Sequence, residues 1–427
     1  MPPRPLRVTM VNKYYSPPHL GGVETVVRTL SEGLVEHAGA HVRALVSNEA
    51  PRRAEETIGG VHVVRLPRQV ALSSAPVAVG MAGALRDEAR RQGPQGPEPP
   101  GVINLHAPYP WGELSCLRAG LDIPSVVLYH SDIVRQKRLL AAYKPFLERF
   151  LDRVDLVMTS SPNIVHSSPF LAPRADKCRV VPFGLPPATL YAAPGVASRA
   201  ATLRAFHPGR RIVLFAGRLV YYKGADVLVR AMRGVDADLV LIGRGPLESK
   251  LRTLAAEVGI AERIWFLPSQ SGVELAAWDH AADVLCLPSV ARSEAFGLVQ
   301  IEAHAAGTPV VSTALPTGVP YANRDGVTGL IVPPGEVEAL GAALRRLLDD
   351  DELRARLGAQ AQMRARREFT VPRMVAGALR VYEEAAARHA APRAAARTVA
   401  HSAARSPAPS AARPSVPPAT PSTGTTT

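Results

Sequence analysis

The sequence predicts two α/β domains, each a parallel β-sheet covered by helices on both faces. Short apolar runs alternate with longer segments of helical periodicity, which is typical of open parallel sheets of the Rossmann type. The alternation stops in a proline-rich stretch at residues 182–195 and then begins again. With 427 residues, 47% of them hydrophobic and 20% charged, the chain is long enough for two cores.

The first half contains five apolar runs that read as buried strands. A helical pattern at residues 23–35 follows the first run, and GPQGPEPP at residues 93–100 reads as a loop. We predict an N-terminal domain over residues 1–187. The five runs are LRVTMV (6–11), HVRALVS (41–47), VHVVRLP (61–67), GVINLH (101–106) and SVVLYH (125–130).

The second half repeats the alternation after a predicted linker at residues 188–206. We assign residues 207–370 to a C-terminal domain and residues 371–388 to a final helix. Residues 389–427 are mostly Ala, Pro, Ser, Thr and Arg, and we expect them to be disordered because they have little apolar surface to bury. The strand-like runs are RIVLFAG (211–217), DLVLIG (238–243), RIWFLP (263–268), DVLCLP (283–288) and PVVST (309–313).

The net charge of +13 favours an anionic partner. Five arginines without any acidic residue lie in residues 385–427, which leaves about +8 for the folded part. A nucleoside diphosphate or an anionic lipid surface fits this charge. Nucleic acid is disfavoured, because aromatic residues make up only 5% of the chain. The five arginines are Arg388, Arg393, Arg397, Arg405 and Arg413.

Cysteine usage and hydropathy predict a cytoplasmic protein. Cys116, Cys178 and Cys286 have neither paired nor metal-type spacing, so we expect reduced thiols. The N-terminal residues have no apolar core typical of a signal peptide. No stretch is apolar and uncharged over the ~18 residues that a membrane-spanning helix needs.

The most informative segment is SEAFGLVQIE at residues 293–302. It follows a buried strand and enters a helix, and Gly297 lets a ligand approach the backbone where free amides face an anion. Glu294, just before the helix, can accept hydrogen bonds from sugar hydroxyls. Glu302, further along the helix, can reach a ribose diol. This pattern suits a sugar attached to a nucleotide.

The segment at residues 265–313, which contains this motif, resembles the nucleotide-binding half of retaining glycosyltransferases of the GT-B family. That family includes bacterial mannosyltransferases, and the paired glutamates are its hallmark. The resemblance implies a GT-B fold, with two Rossmann-like domains facing across a cleft and a C-terminal helix returning to the first domain. It extends to FAGRLVYYKG (215–224), LIGRGPLESKL (241–251) and GVTGLIVPPG (326–335).

Two cationic side chains and the backbone amides of a glycine pair are the predicted diphosphate-binding groups. Arg218 and Lys223 flank a turn after a strand, and they match the family's R-x4-K arrangement. Gly21 and Gly22 open a helix, where the family places a glycine-rich loop against the donor diphosphate. The resemblance also implies that the amides of Phe296, Gly297 and Leu298 contact the sugar, and that Leu267 lies near the base.

His130 ends an apolar strand, at the position where the resembling family contacts the donor sugar. The same resemblance assigns Glu294 to the reacting sugar, so His130 and Glu294 are the candidate catalytic residues. The sequence is compatible with two roles for Asp132, a cap of the following helix or a direct role in the site. We predict no metal and no cofactor, because Asp236 and Asp238 read as a turn and Asp349 to Asp351 as a helix junction.

A basic cluster in the next helical segment comprises Arg135, Lys137, Arg138 and Lys144. Beside Leu139, Leu140, Tyr143 and Phe146 it is either a contact with an anionic leaflet or a solvated face above the core. The expected function is metal-independent, retaining transfer of a hexose to a glycan or lipid-linked acceptor, with GDP-mannose or a related GDP sugar as donor. The alternatives are a sugar-nucleotide epimerase that does not hydrolyse its substrate and a non-catalytic sugar-nucleotide sensor.

Overall fold

The computed structural model describes residues 5–18, 21–72, 75–92, 101–120, 122–133, 137–185, 191, 193–270 and 272–405. Two parallel sheets dominate it, which confirms the predicted α/β class. Each sheet belongs to one half of the chain. The final helix crosses back from the second half to the first.

The first sheet has eight strands in the order β10-β9-β8-β7-β1-β2-β4-β3. All neighbouring strands run parallel except β3, which pairs antiparallel with β4. A separate hairpin pairs β5 (Val70–Leu72) with β6 (Ala75–Val77). The sheet strands are β1 (Arg7–Val11), β2 (His41–Ser47), β3 (Ala54–Ile58), β4 (Val61–Leu66), β7 (Val102–Ala107), β8 (Ser125–Tyr129), β9 (Leu156–Thr159) and β10 (Cys178–Val180).

Helices cover both faces of this sheet because its central strands are apolar on both sides. Strand β7, for example, is buried at all six positions. One apolar cluster packs β1, β2 and the first helix, and another packs β7, β8 and the helices of the opposite face. The helices are α1 (Gly22–Ala38), α2 (Met81–Gln92), α3 (Pro110–Ala119), α4 (Lys137–Arg153) and α5 (Pro162–Ser167).

The second sheet has six parallel strands in the order β13-β12-β11-β14-β15-β16. The order reverses beside β11, and ligands of open α/β sheets bind at such a switch point, outside the carboxyl ends of the strands. The strands are β11 (Ile212–Ala216), β12 (Asp238–Ile242), β13 (Ile264–Leu267), β14 (Val284–Leu287), β15 (Val310–Thr313) and β16 (Gly329–Val332).

In the part of the chain that the structure describes, eight α-helices accompany the second sheet. The first of them, α6 (Pro194–Ala205), occupies much of the range that the sequence predicted as linker. Its apolar residues Val196 and Leu203 are buried in one core cluster with β11 and α9, so this segment packs with the second sheet. The others are α7 (Ala225–Ala231), α8 (Glu248–Glu257), α9 (Val273–Ala281), α10 (Leu298–Ala306), α11 (Val319–Ala322), α12 (Val337–Asp349) and α13 (Asp351–Glu368).

The last helix, α14 (Val371–Arg405), packs on the first domain, as the resemblance implied. Tyr382 is buried there and its hydroxyl accepts a hydrogen bond from Asn104 Nδ2 at 2.7 Å. The helix continues beyond residue 388, where the sequence predicted its end, and residues 406–427 of the expected disordered tail lie outside the described residues. In the described part of the chain, no helix combines the length and apolarity needed to cross a bilayer.

Candidate functional site

The candidate site lies where the carboxyl ends of both sheets face each other. Strand β14 ends at Leu287, and a loop leads from there to α10, carrying Glu294. After β11, Lys223 closes a short 3-10 turn, Tyr221–Lys223. Because β11 and β14 are neighbours in the sheet, their following loops lie side by side. This adjacency brings residues that are far apart in sequence into one place.

Lys223 and Glu294 form an ion pair in this place. Lys223 Nζ lies 2.6 Å from Glu294 Oε2, and both side chains are largely buried. Burial alone would lower the pKa of Lys223, but the charge and the hydrogen bond of Glu294 outweigh it, so the pKa is raised. Ser289 Oγ donates a second hydrogen bond to the same carboxylate oxygen at 3.1 Å. The ammonium is therefore charged and held at the mouth of the second domain.

Glu302 lies one turn into α10, on the side of Lys223. Burial raises the pKa of Glu302 to about 7, against the opposing attraction of Lys223. The charge of Glu302 in turn contributes to the raised pKa values of Tyr191 and Asp279, for both of which burial is the larger cause. Asp279 is buried and its Oδ2 has no hydrogen-bond partner within the described ranges. The carboxyl groups of Asp279 and Glu302 are therefore close enough to repel each other when ionised.

Helix starts from the two domains face each other across the cleft. Gly297 precedes α10 with φ 75° and ψ 72°, and a Cβ atom there would collide with Leu287 Cδ2. On the opposite side, Gly22 opens α1, and a Cβ atom on it would lie 3.7 Å from Leu298 Cδ1. Both helices therefore direct free N–H groups and positive dipole ends into the same space, which favours an anion. Gly21, beside Gly22, lies against the carboxylate of Glu24.

His130 follows β8 and pairs with a second histidine. His106 Nδ1 lies 3.0 Å from His130 Nε2, and the rings stack with centroids 5.2 Å apart. Burial, together with the charge of Lys13, lowers the pKa of His130 to about 3, so this imidazole is neutral. The His106 Nε2 atom is buried without a partner in the described part of the structure. We assign the proton between the two rings to His106 Nδ1. His106 Nε2 is then an unprotonated acceptor, which costs less to bury without a partner than an N–H group does.

The carboxylate of Asp132 bonds to residues of both domains. Its Oδ1 accepts hydrogen bonds from the Tyr129 hydroxyl at 2.8 Å and from Ser168 Oγ at 2.6 Å. Its Oδ2 pairs with Arg292 Nη2 at 2.7 Å. Since Arg292 belongs to the second domain, this ion pair crosses the cleft.

The remaining predicted site residues differ in their surroundings. Arg218 is exposed beside Tyr222, and its guanidinium has no hydrogen bond to a described residue. Leu267 ends strand β13 and is partly buried. The side chain of Phe296 is 2% exposed and packs against Phe183 and Phe369, so only its backbone is able to face a ligand.

Three polar residues near the site were not predicted as site residues. Lys13 follows β1. Burial lowers the pKa of Lys13 against the opposing charges of Glu113 and Glu24, and the charge of Lys13 helps to lower the pKa of His130. His106 lies near the end of β7, and Glu113 lies in the first turn of α3. The signal was present in the sequence, since NLH and NK each end or follow an apolar strand, as YH does. Glu113 is fully buried and accepts hydrogen bonds from the Tyr109 amide and the Tyr143 hydroxyl.

The basic helix is only partly described. Arg135 lies outside the described residues, as do the side chains of Lys137, Arg138, Leu139 and Leu140. Tyr143 turns inward and its hydroxyl bonds to Glu113, whereas Phe146 is 50% exposed and Lys144 pairs loosely with Glu148 at 3.8 Å.

The aspartates considered for a metal have structural partners instead. Asp238 accepts from His207 and Arg210, and Asp236 pairs with Arg210. Asp350 caps α13 by accepting from the Leu353 amide at 2.8 Å, as predicted for that junction. Within the described residues, no group of three or more His, Cys, Asp or Glu side chains forms a metal-binding arrangement.

Comparison with known families and sequences gives consistent results. Residues 204–364 match the family model described as glycosyl transferases group 1, and residues 20–189 match glycosyltransferase family 4. The chain is 34% identical over 371 residues to the D-rhamnosyltransferase WbpZ of Pseudomonas aeruginosa, covering 86% of this chain and 92% of the relative. It is 32% identical over 380 residues to the O-antigen chain mannosyltransferase C of Escherichia coli, covering 88% and 98%.

Solved structures share the fold. The sucrose-phosphate synthase of Thermosynechococcus elongatus superposes with a TM-score of 0.72 at 24% identity, over 89% of this chain and 98% of that chain. HepE of Anabaena, solved in complex with UDP and glucose, superposes with a TM-score of 0.70 at 18% identity, over 88% and 99%. At these identities the likeness concerns the fold alone, and that fold is GT-B.

Proposed function

Since the chain belongs to the group 1 glycosyltransferases of the GT-B fold, we propose that it is a retaining, metal-independent hexosyltransferase that uses a nucleoside diphosphate sugar. The donor we favour is GDP-mannose or a related GDP sugar. One observation carries the proposal. The Lys223–Glu294 pair lies near Glu302, and the start of α1 approaches Leu298 at the start of α10, which supports a site with a cation, two carboxyl groups and free amides.

The choice of sugar rests on the relatives. Two relatives matched over nearly their full length are named for transfer of D-rhamnose and of mannose, the latter to an O-antigen chain. Both sugars are hexoses or deoxyhexoses. The segments at residues 130–137 and 317–330 of this chain also resemble bacterial transferases of that kind. A glycan or a lipid-linked glycan is therefore the acceptor we propose.

The donor would be held in three parts. Lys223 and the exposed Arg218 would neutralise the diphosphate, together with the amides at the starts of α1 and α10. Glu302 would accept hydrogen bonds from the ribose hydroxyls, and Leu267 would border the base. Glu294 and the backbone at residues 296–298 would bind the sugar.

Transfer would proceed on the face of the sugar from which the diphosphate leaves. The bond between the anomeric carbon and the phosphate oxygen breaks, and the acceptor oxygen forms the new bond on the same face. The acceptor's proton passes to the departing phosphate oxygen. Lys223 stabilises the charge that develops on the diphosphate, and neutral His130 contacts the sugar hydroxyls.

We place the enzyme in the cytoplasm, in peripheral contact with the inner face of the plasma membrane. Phe146 on α4 supports this contact, because an exposed aromatic ring suits a lipid surface. Nucleic acid is not a proposed partner.

A thermal-shift screen against a panel of GDP, UDP and ADP sugars tests the donor, because a ligand that binds the native state raises its Tm. We expect GDP-mannose or GDP-rhamnose to give the largest rise. NMR of the product formed with a mannose-terminated oligosaccharide then reports the anomeric configuration. Inversion would contradict the proposal, and conversion of the donor without any acceptor would indicate the epimerase instead.

A further inference from the structure

Arg292 is a side chain of the second domain whose hydrogen bonds go to the first. Its Nη2 atom donates to Asp132 Oδ2 at 2.7 Å, to the Ser167 carbonyl at 2.8 Å and to Ser167 Oγ at 3.3 Å. Within the described ranges these are the partners that the guanidinium has. Its contacts therefore exist only while the two domains are close together.

The acceptor side of this contact is fixed in the first domain. Asp132 Oδ1 is held by the hydroxyls of Tyr129 and Ser168, so Oδ2 is left pointing at Arg292. The Asp132 side chain is 11% exposed and that of Arg292 is 33% exposed. A charged hydrogen bond with this degree of burial is stronger and more directional than a loose surface pair.

The two residues occupy matching positions in the loops that carry the site. Asp132 comes two residues after His130, and Arg292 comes two residues before Glu294. His130 and Glu294 are the candidate groups on either side of the reacting sugar. The ion pair therefore joins the first domain's site loop directly to that of the second.

A neighbouring contact supports the same closed arrangement. Ser167 Oγ donates to the Pro316 carbonyl of the second domain at 2.5 Å. Phe183 of the first domain also packs edge-on against Phe296, with ring centroids 5.1 Å apart. These contacts hold the domains near each other, but they do not bond to the loops of His130 and Glu294 at a charged atom.

We propose that Asp132 and Arg292 are a positioning pair, which sets the distance between the His130 loop and the Glu294 loop and so brings the two halves of the site into reacting geometry. The pair does not contact the donor. It acts through the two loops, and its effect on turnover rests on the proposed glycosyltransferase function. Loss of the pair leaves each half-site intact but allows the two loops to move apart.

A double-mutant cycle tests the proposal with Asp132→Asn, Arg292→Gln and the combined variant. Asn at 132 keeps an oxygen for Tyr129 and Ser168 and removes the charge that meets Arg292. We expect each single variant to lower kcat with GDP-mannose by about tenfold or more, because small displacements of reacting groups are costly. The KM for the donor should stay within about twofold. The combined variant should lose no more than the worse single variant, since both remove the same interaction.

Arg199→Gln is the matched control, because Arg199 and Glu274 form an ion pair of 2.8 Å within the second domain. It should leave kcat and KM unchanged. Losses that add in the combined variant, or wild-type kcat in either single variant, would overturn the proposal. A higher kcat for Arg292→Lys than for Arg292→Gln would support the role of the positive charge.

Small-angle scattering of the unliganded proteins separates this inference from the donor assignment. The three cycle variants should have a larger radius of gyration than the wild type and the Arg199→Gln control. An unchanged radius in all three would overturn the inference. If the wild type turns over no GDP sugar, the donor proposal fails, and the scattering result still decides whether the pair holds the domains together.

Discussion

The Lys223 ammonium lies 2.6 Å from Glu294, the carboxylate that precedes helix α10. The Lys223 ammonium pairs with the buried carboxylate of Glu294 and also lies near the space in front of the starts of α1 and α10. In the proposed complex, a diphosphate would give Lys223 a second anion to contact, and Glu294 would retain Ser289 as a hydrogen-bond donor. Ligand binding can therefore redistribute the hydrogen bonds of Lys223 and Glu294 without leaving either charge unpaired.

Glu294→Ala should lower kcat by about 100-fold or more, because a group that contacts the reacting sugar stabilises the transition state more than the ground state. The measurement is steady-state release of nucleoside diphosphate with saturating donor. Glu257→Ala, an exposed position on α8, is the control and should behave as wild type. Normal turnover in Glu294→Ala would remove this residue from the site.

Lys223→Ala should weaken GDP binding by about tenfold or more, since a partly buried cation is lost from a diphosphate site. Isothermal titration calorimetry measures the affinity directly, without an acceptor. Lys250→Ala removes an exposed lysine on α8 and should leave the affinity unchanged. Equal affinities for wild type and Lys223→Ala would be incompatible with a phosphate-binding role.

The stability of the protein should fall as Glu302 ionises. Burial raises the pKa of Glu302 to about 7, whereas an ordinary glutamate has a value of 4.5. The native state therefore holds a proton that the unfolded chain has released between these pH values, so the free energy of unfolding falls as the pH rises through this window. Glu302→Gln should be more stable than wild type by roughly 1–3 kcal/mol at pH 8, with little difference at pH 4.5. Thermal denaturation at both pH values checks this.

GDP binding should show the opposite dependence on the same carboxyl group. In the proposed complex, ionised Glu302 would accept hydrogen bonds from both ribose hydroxyls, and protonation would remove part of that capacity. Affinity measured by calorimetry should therefore decrease from pH 8 to pH 6 more steeply in the wild type than in Glu302→Gln. Parallel pH profiles for the two proteins would show that Glu302 does not contact the nucleotide.

Gly297→Ala should destabilise the protein by roughly 1–3 kcal/mol, because φ at this position is 75° and the added methyl group would meet Leu287. Urea denaturation measures the loss. Gly83→Ala on α2 is the control, since a Cβ atom there has no neighbour within 4 Å, and it should be neutral or stabilising. Equal stability losses in the two variants would contradict the backbone explanation.

Local sequence was enough to predict several parts of the structure. Alternating apolar runs predicted both sheets, since the faces of each parallel strand are buried and must be apolar. The glycine before α10 was predictable from its place between a strand and a helix. The helix at residues 194–205 was harder to predict from the sequence. Its prolines and alanines resemble a linker, and only packing against α9 and β11 identifies α6 as part of the second core.

The sequence by itself therefore determined the two-domain α/β class and the side chains that follow the strands. The tertiary structure alone decided which of them meet. Asp132 and Arg292 are 160 positions apart, and His106 reaches His130 only because β7 and β8 are neighbouring strands. Periodicity reports the environment of each residue within its own element, whereas such contacts depend on strand order and on how two sheets approach each other. Strand order and the approach of the sheets are in turn set by packing over the whole chain.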